Sequence, residues 1–450
     1  MIFRLSRGFV AWFLPAILIA VGTGGPQAPF SSQSMTLLVH RTSASAAEPP
    51  FVIASRTHAG ALDPTFGNAG KVITSVSANR VGDVAMQSDG DIVVAATIDN
   101  FVIATETFGI FRYLPNGKLD TNFGRGGVVL TAFTNFINIA NAIAIQVDGK
   151  IVVVGETQSA DGKVDDFAVA RYNRNGSLDR GFGHNGLVTT DFFGFRNDAD
   201  VVMVQPDGKV LVGGLAGHGI EKPDALALAR YNPNGTPDAT FGNNGKVTVQ
   251  AGNVNALALR TDGKILVLDA TFAEQFFANG ARDPSLTGGR IIATAHTGIS
   301  TFTPDGKVLA ALAPLEFGRR DVDVMLTRLM LDGARDEGFH SPTFDFDVEG
   351  LNAANEAQAV GVVPDGKLVA GGFADTRDRG ESFGVARFNA NGSLDATFGN
   401  GGKVTTRFFN NSDMIDALLV QPDCKIVVVG TTFDAHANQN KLALTRYLAR

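Results

Sequence analysis

Two histidines, His218 and His436, stand in equivalent loops of a repeating sequence and could serve as metal ligands or as an acid-base pair. No His-x-His pair, Ser-His-Asp arrangement or repeated carboxylate cluster accompanies them, so both read as solvated loop residues. A second candidate is Asn173-Arg174-Asn175-Gly176-Ser177-Leu178-Asp179, whose oxygens loosely resemble a calcium loop in their spacing. Calcium loops need several carboxylates and a closing bidentate acid, whereas this stretch has two amides and one Asp; a plain turn is the better reading. The third constellation is ionic: Arg112, Arg171, Arg230, Arg387 and Arg446 recur alongside loop aspartates Asp120, Asp179, Asp238 and Asp395. Such pairs join charge to fixed geometry, so this recurrence suggests scaffold rather than catalysis. The catalytic residues are therefore unknown.

What must position these residues is a repeated hairpin, plainest as Gln205-Pro206-Asp207-Gly208-Lys209-Val210-Leu211-Val212-Gly213-Gly214. Pro206 sets φ for a tight turn and Gly208 takes the left-handed conformation that follows, as Gly149 and Gly366 do in their copies. The run after the turn is apolar on both faces, which predicts a strand buried between two other sheets. Turn aspartates recur at Asp89, Asp148, Asp207, Asp262, Asp305, Asp365 and Asp423, with steps of 59, 59, 55, 43, 60 and 58 residues. That period marks one supersecondary unit, and we number the units I to VII. In unit VII, Cys424 replaces the left-handed glycine.

Between turns runs a second phrase: Leu62-Asp63-Pro64-Thr65-Phe66-Gly67, with counterparts at Asp120 and Phe123, Asp179 and Phe182, Asp238 and Phe241, and Asp395 and Phe398. The phenylalanine is the one bulky apolar residue of a glycine-rich loop and is expected to plug a gap between sheets; a ligand-facing aromatic row is the alternative. All four tyrosines, Tyr113, Tyr172, Tyr231 and Tyr447, follow the repeated arginine and read as scaffold. Four strand-like runs follow each loop phrase, the pattern of one antiparallel propeller blade. The expected fold is all-β: a seven-bladed propeller of four-stranded antiparallel blades. Its fourth blade should be truncated, because the step falls to 43 and the Arg-Tyr strand is degraded at Ala273 onward. Unit V keeps only a relic of the loop phrase, Asp336-Glu337-Gly338-Phe339. The final strand, Thr445 to Arg450, precedes the loop phrase everywhere else, so it should meet Leu62 to Gly70 and close the ring.

Composition sets the outer limits. Glycine numbers 52 of 450 residues and charged residues make up 18%, as expected for short buried strands and tight turns. A net charge of -7 without a basic face argues against nucleic acid and anionic membranes as partners. Arg4 and Arg7 precede an uncharged run from Phe9 to Val21, a secretory layout. We expect a signal peptide over 1-28, a flexible leader over 29-57 and one repeat domain over 58-450, with no stable membrane span after cleavage. The product would be exported, to the periplasm, cell surface or medium. One cysteine excludes an internal disulfide.

The loop phrase, the Gln-x-Asp-Gly-Lys turn and the Ala-Arg-Tyr strand, at a step near sixty, together resemble the delta-60 repeat family of bacterial exported proteins. That resemblance covers nearly all of Leu62 to Arg450 and implies a β-propeller without a settled activity. The functional expectation is a monomeric binding or scaffold module for an extracytoplasmic protein or polymer, requiring no cofactor unless the Asn173 turn takes calcium. Variable loops such as Glu156 to Asp166, Leu215 to Asp224, Ala374 to Ser382 and Thr432 to Asn440 would supply its surface. The alternative is a propeller-type hydrolase or lyase with its site at the central channel mouth. Sugar binding is disfavoured, because Trp12 lies in the export signal and the tyrosines belong to the repeat.

Overall fold

Each Asp-Gly turn adopts the backbone its residues dictate. Gly149, Gly208 and Gly366 have φ of 82°, 81° and 86°, and the Gly208 amide donates to the Gln205 carbonyl at 2.9 Å. The turn aspartate caps the hairpin from inside, with Asp207 Oδ1 accepting from the Lys209 amide at 3.2 Å. Cys424 takes the same left-handed conformation, φ 65°, at a cost of about 1 to 2 kcal/mol for its Cβ.

The structure is a computed structural model that describes residues 58–100, 105–158, 164–219, 224–250, 252–269, 273–286, 299–312, 324–346, 355–376, 380–409 and 412–450. The expected signal peptide and leader lie outside these residues. Among the described residues every element is a strand, and no helix is long and apolar enough to cross a membrane.

Antiparallel sheets repeat along the chain. In unit II the strands Asn138–Ile145, Ile151–Gln158, Asp165–Tyr172 and Leu187–Thr190 pair in that order. Units III and VI repeat this arrangement, and unit V ends on the short strand Thr343–Phe344. Unit IV shows three strands among its described residues, the third being the degraded Ala273–Phe276. One expectation needs correction. The run after each loop phrase does not open a new sheet: Leu187 pairs with Ala170, so it forms the outer edge of the sheet before it. The variable loops consequently join the second and third strands of each sheet.

That offset explains the closure. Lys71–Met86 is one long strand whose first half pairs with Gln439–Tyr447 and whose second half pairs with Ile92–Asn100. It bridges the last and first units into a single seven-stranded sheet. Leu62 forms a bridge with Tyr447, and the Gly60 amide donates to Leu448 O at 2.8 Å. No edge strand is left open where head meets tail.

The core lies between sheets. Val152, Val154 and Phe182 meet Val210 and Val212 between units II and III, and Val369 and Val385 meet Val428 and Ala443 between VI and VII. Val427 and Leu444 of unit VII pack with Ile92, Val94 and Phe66 at the seam itself. Because the head loop carries a fully buried ring there, Phe66→Ala should cost about 3 to 5 kcal/mol in denaturant unfolding. A change below about 1 kcal/mol would show that the head loop is an appendage rather than part of the core.

Candidate functional site

At the turn end the repeated side chains form one assembly, unit after unit. Arg230 Nε donates to Asp238 Oδ2 at 2.8 Å, and Arg387 Nε does the same to Asp395 at 2.8 Å. The plug ring lies under each guanidinium at 4.3 to 4.8 Å, from Arg171 over Phe182 to Arg328 over Phe339. The remaining nitrogen reaches the next unit: Arg171 Nη1 donates to Pro233 O at 2.6 Å, Arg230 Nη1 to Ala278 O at 2.6 Å, and Arg387 Nη1 to Ala449 O at 2.7 Å. Arg446 completes the circuit through Asp63 at 2.9 Å and Pro115 O at 2.5 Å.

The lysine of the Asp-Gly-Lys turn adds a second cation, Lys209 to Asp238 at 3.2 Å and Lys367 to Asp395 at 2.6 Å. Burial alone would raise Asp395, but hydrogen bonds from Lys367 and Thr397 and the Arg387 charge outweigh it and hold the carboxyl well below its usual range. Asp238 is lowered against burial in the same way, through Thr240, Lys209 and Arg230. A carboxylate this firmly ionised is a structural anion and a poor proton carrier.

The tyrosines are buried and join units through threonines on the preceding sheet's outer strand: Tyr113 to Thr74 at 2.6 Å, Tyr231 to Thr190 at 2.7 Å and Tyr447 to Thr406 at 2.7 Å. Tyr172 is equally buried. Phe66, Phe123, Phe182, Phe241 and Phe398 are fully enclosed, which removes them from any ligand-facing row. In the loop that resembles a calcium site, Asn175 Oδ1 accepts from the Ser177 amide at 3.0 Å and hydroxyl at 2.8 Å, while Asp179 binds Arg171 and Lys150. Asn175 Oδ1 and the Asp179 carboxylate are thus engaged in holding the turn. The relic in unit V is a full member, since Arg328 Nε donates to Asp336 at 2.7 Å. In unit IV, Gln275 takes the arginine's place on Asp283 at 2.8 Å.

The first strands of units II, III, VI and VII each carry a polar residue at a β-bulge, which the strand pattern hid. Register shifts fall at Asn141, Asp200, Gln358 and Asp416. The bulge swings a carbonyl onto the facing strand; a Cβ on Gly155 would lie 1.8 Å from Ile139 O, and one on Gly430 would lie 1.8 Å from Met414 O. That contact is the physical reason for glycine at those positions. The bulged side chains reach the neighbouring unit: Asp416 Oδ2 accepts from the Val81 amide at 3.3 Å, and Asn141 Nδ2 donates to Ala199 O at 3.0 Å. Asp83 in unit I similarly accepts from the Ile143 amide at 3.2 Å. Burial pushes Asp416 up to about 7 and Asp83 to about 6.

The opposite end is built from the loops that enter each first strand. Their first phenylalanine plugs inward, Phe133 on Phe108 at 5.2 Å, Phe192 on Phe167 at 5.0 Å and Phe408 on Phe383 at 5.1 Å. Others face solvent: Phe193 is 38% exposed and Phe195 46%. His218 stacks on Phe193 with ring centres 3.9 Å apart, while His436 belongs to unit VII and its amide donates to Asp434 at 2.9 Å. The two histidines share no partner among the described contacts. Beneath this patch the carboxylates of Glu156, Asp165 and Asp198 lie within 4.8 Å of one another, and Arg196 pairs with Asp198. Asp166 beside them is raised by burial and by the charges of Asp191 and Asp165. Sequence reading missed this group, because its members come from two units and only burial brings them together.

Four stretches, residues 87–123, 146–182, 205–241 and 364–398, match the family model described as "Domain of unknown function (DUF5122) beta-propeller". Each spans one hairpin, the Arg-containing strand and the loop phrase. Together with the repeated antiparallel sheets, these matches make the chain a β-propeller repeat protein. No curated protein matches it. Similar solved structures include the β-propeller domain of the trilobed protease from Pyrococcus furiosus, at 10% identity and TM-score 0.43, covering 84% of this chain and 95% of that one. Another is the alpha-L-arabinofuranosidase Arb93A from Fusarium graminearum, at 10% identity and TM-score 0.45, covering 86% and 96%. A third is the alpha-L-arabinanase from Penicillium chrysogenum, at 10% identity and TM-score 0.41, covering 86% and 97%.

The raised carboxyls give a signed pH dependence. Asp416 and Asp83 bind a proton more tightly folded than unfolded, where an aspartate titrates near 3.9. The stability this adds is fully present below about pH 4 and is lost as pH rises through about 6 and 7. Asp416→Asn keeps an acceptor for Val81 and should raise stability at pH 8 by on the order of 1 to 2 kcal/mol, with little effect at pH 4. Melting curves across that range check it, and a constant difference at every pH would refute the assignment.

Proposed function

We propose that the chain is an exported seven-bladed β-propeller of the delta-60 repeat type, acting as a monomeric binding or scaffold module for an extracytoplasmic protein or polymer. Seven turn copies and a continuous series of packed sheets returning to the first support the blade count. The secretory layout of the first residues supports export. The binding reading rests on one observation: at the loop end Phe193 and Phe195 are exposed beside carboxylates that lie outside the repeating scaffold. Exposed aromatic side chains such as Phe193 and Phe195, in a loop that differs between units, offer a surface to a partner.

The hydrolase or lyase reading has the proximity of Glu156, Asp165 and Asp198 on its side. Paired acids can act as proton donor and base when their environments differ. The bound guanidinium of Arg196 argues the other way, because it neutralises part of the group it would have to leave reactive.

Both readings yield to the same variants. Phe193→Ala with Phe195→Ala should weaken capture of partners from the exported fraction by at least about tenfold while leaving the melting temperature within a few degrees. Asp165→Asn should then have no effect on turnover of ester, lactone or glycoside substrates, because there is none to lose. Turnover abolished by Asp165→Asn would replace the binding module with an enzyme.

A further inference from the structure

Unit I breaks the charge rule that the other units keep. Where they place Lys150, Lys209, Lys264, Lys307, Lys367 and Lys425 after the Asp-Gly turn, unit I has Asp91. The lysine normally bridges two carboxylates, as Lys150 does between Asp148 at 3.6 Å and Asp179 at 3.2 Å. Asp91 instead adds a third acid to Asp89 and Asp120. It is buried to 8% exposure, and its nearest cation is Arg112, whose Nε lies 3.6 Å from Oδ2. Arg112 itself is already committed to Asp120 at 2.9 Å.

A matching exception stands across the junction. The loop position whose carbonyl accepts the preceding unit's arginine is Pro115, Pro233, Ala278, Ala390 or Ala449 elsewhere, but in unit II it is Arg174. Its side chain passes over the unit II turn, with Cδ 3.4 Å from where a Cβ on Gly149 would be, and ion-pairs with Asp89. The charge missing from one unit is returned by its neighbour.

We propose that Asp91 and Arg174 form a charge-exchanged junction that makes unit II the one complementary neighbour of unit I and thereby fixes the register of the ring. The reasoning is a difference between pairings. Docked against a loop with Pro or Ala at that position, Asp89, Asp91 and Asp120 would share only Arg112. Placed after a unit that carries the lysine, Arg174 would meet that ammonium. In a chain whose units share the same arginine-to-carbonyl pin across each junction, these two residues penalise pairing unit I with any other unit. The groups facing Asp91 are Asp89, Asp120, Arg112 and Arg174; burial and the charge of Asp89 raise its pKa, while the two arginines lower it.

Native-state hydrogen exchange of the Gln87 to Asp91 turn tests the junction. Arg174→Pro, which installs a residue the fold accepts at Pro233, should reduce protection there about two- to fivefold at pH 8 and less at pH 5, the range expected of a partly exposed pair. In the Asp91→Lys background the same change should cost nothing. Pro233→Arg added to Arg174→Pro restores net charge at the wrong junction and should not restore protection. An unaffected Arg174→Pro, an equal loss in the Asp91→Lys background, or rescue by Pro233→Arg would each overturn the proposal.

Discussion

Everything in this ring depends on one guanidinium used three ways. Each repeated arginine ties its own loop through an aspartate, lies over that loop's phenylalanine and donates to a carbonyl of the following unit. Lysine could not do this, because a compact ammonium lacks the planar face and the fork of donors. Buried ion pairs often fail to recover the cost of removing both charges from water. Here the carboxylate also accepts from a backbone amide, as Asp238 Oδ1 does from Thr240 N at 3.0 Å, which offsets part of its desolvation. The assembly therefore specifies how units meet, while the apolar clusters between sheets supply the larger share of stability.

Because that contact is always made to the next unit, a linear array would leave one arginine without its carbonyl and one edge strand unpaired. The long strand from Lys71 to Met86 and the contact of Arg446 with Pro115 remove both defects at once. The offset that assigns each outer strand to the sheet before it is thus also what lets head and tail share a sheet. Closure and repeat phase are the same geometric fact.

The two ends of the ring obey different constraints. At the turn end nearly every polar group is tied to another, which leaves little freedom for recognition. At the loop end the inward phenylalanines Phe133, Phe192 and Phe408 meet the packing requirement, so neighbouring positions such as Phe193 and Phe195 can vary without loss of the fold. The first-strand carboxyls Asp83 and Asp416 sit between these regimes: bound to neighbouring backbone, yet raised into the range where ambient pH changes their charge.

The sequence by itself determined the unit, its turn, the aspartate and arginine of the loop pin and the meeting of Tyr447 with Leu62, since each follows from local φ preference or from recurrence at a fixed step. It did not reveal the bulges: the reason for Gly155 and Gly430 is a carbonyl of the facing strand that presses on them, and only the folded sheet brings it there. Only the tertiary structure decided which sheet each outer strand joins, because hydrogen bonding to the strand before or after leaves the same alternating pattern. Only it could gather Glu156, Asp165 and Asp198, or bring Arg174 to Asp89. Those contacts join residues from different units, and their distance in space is set by how sheets stack rather than by how far apart the residues lie along the chain.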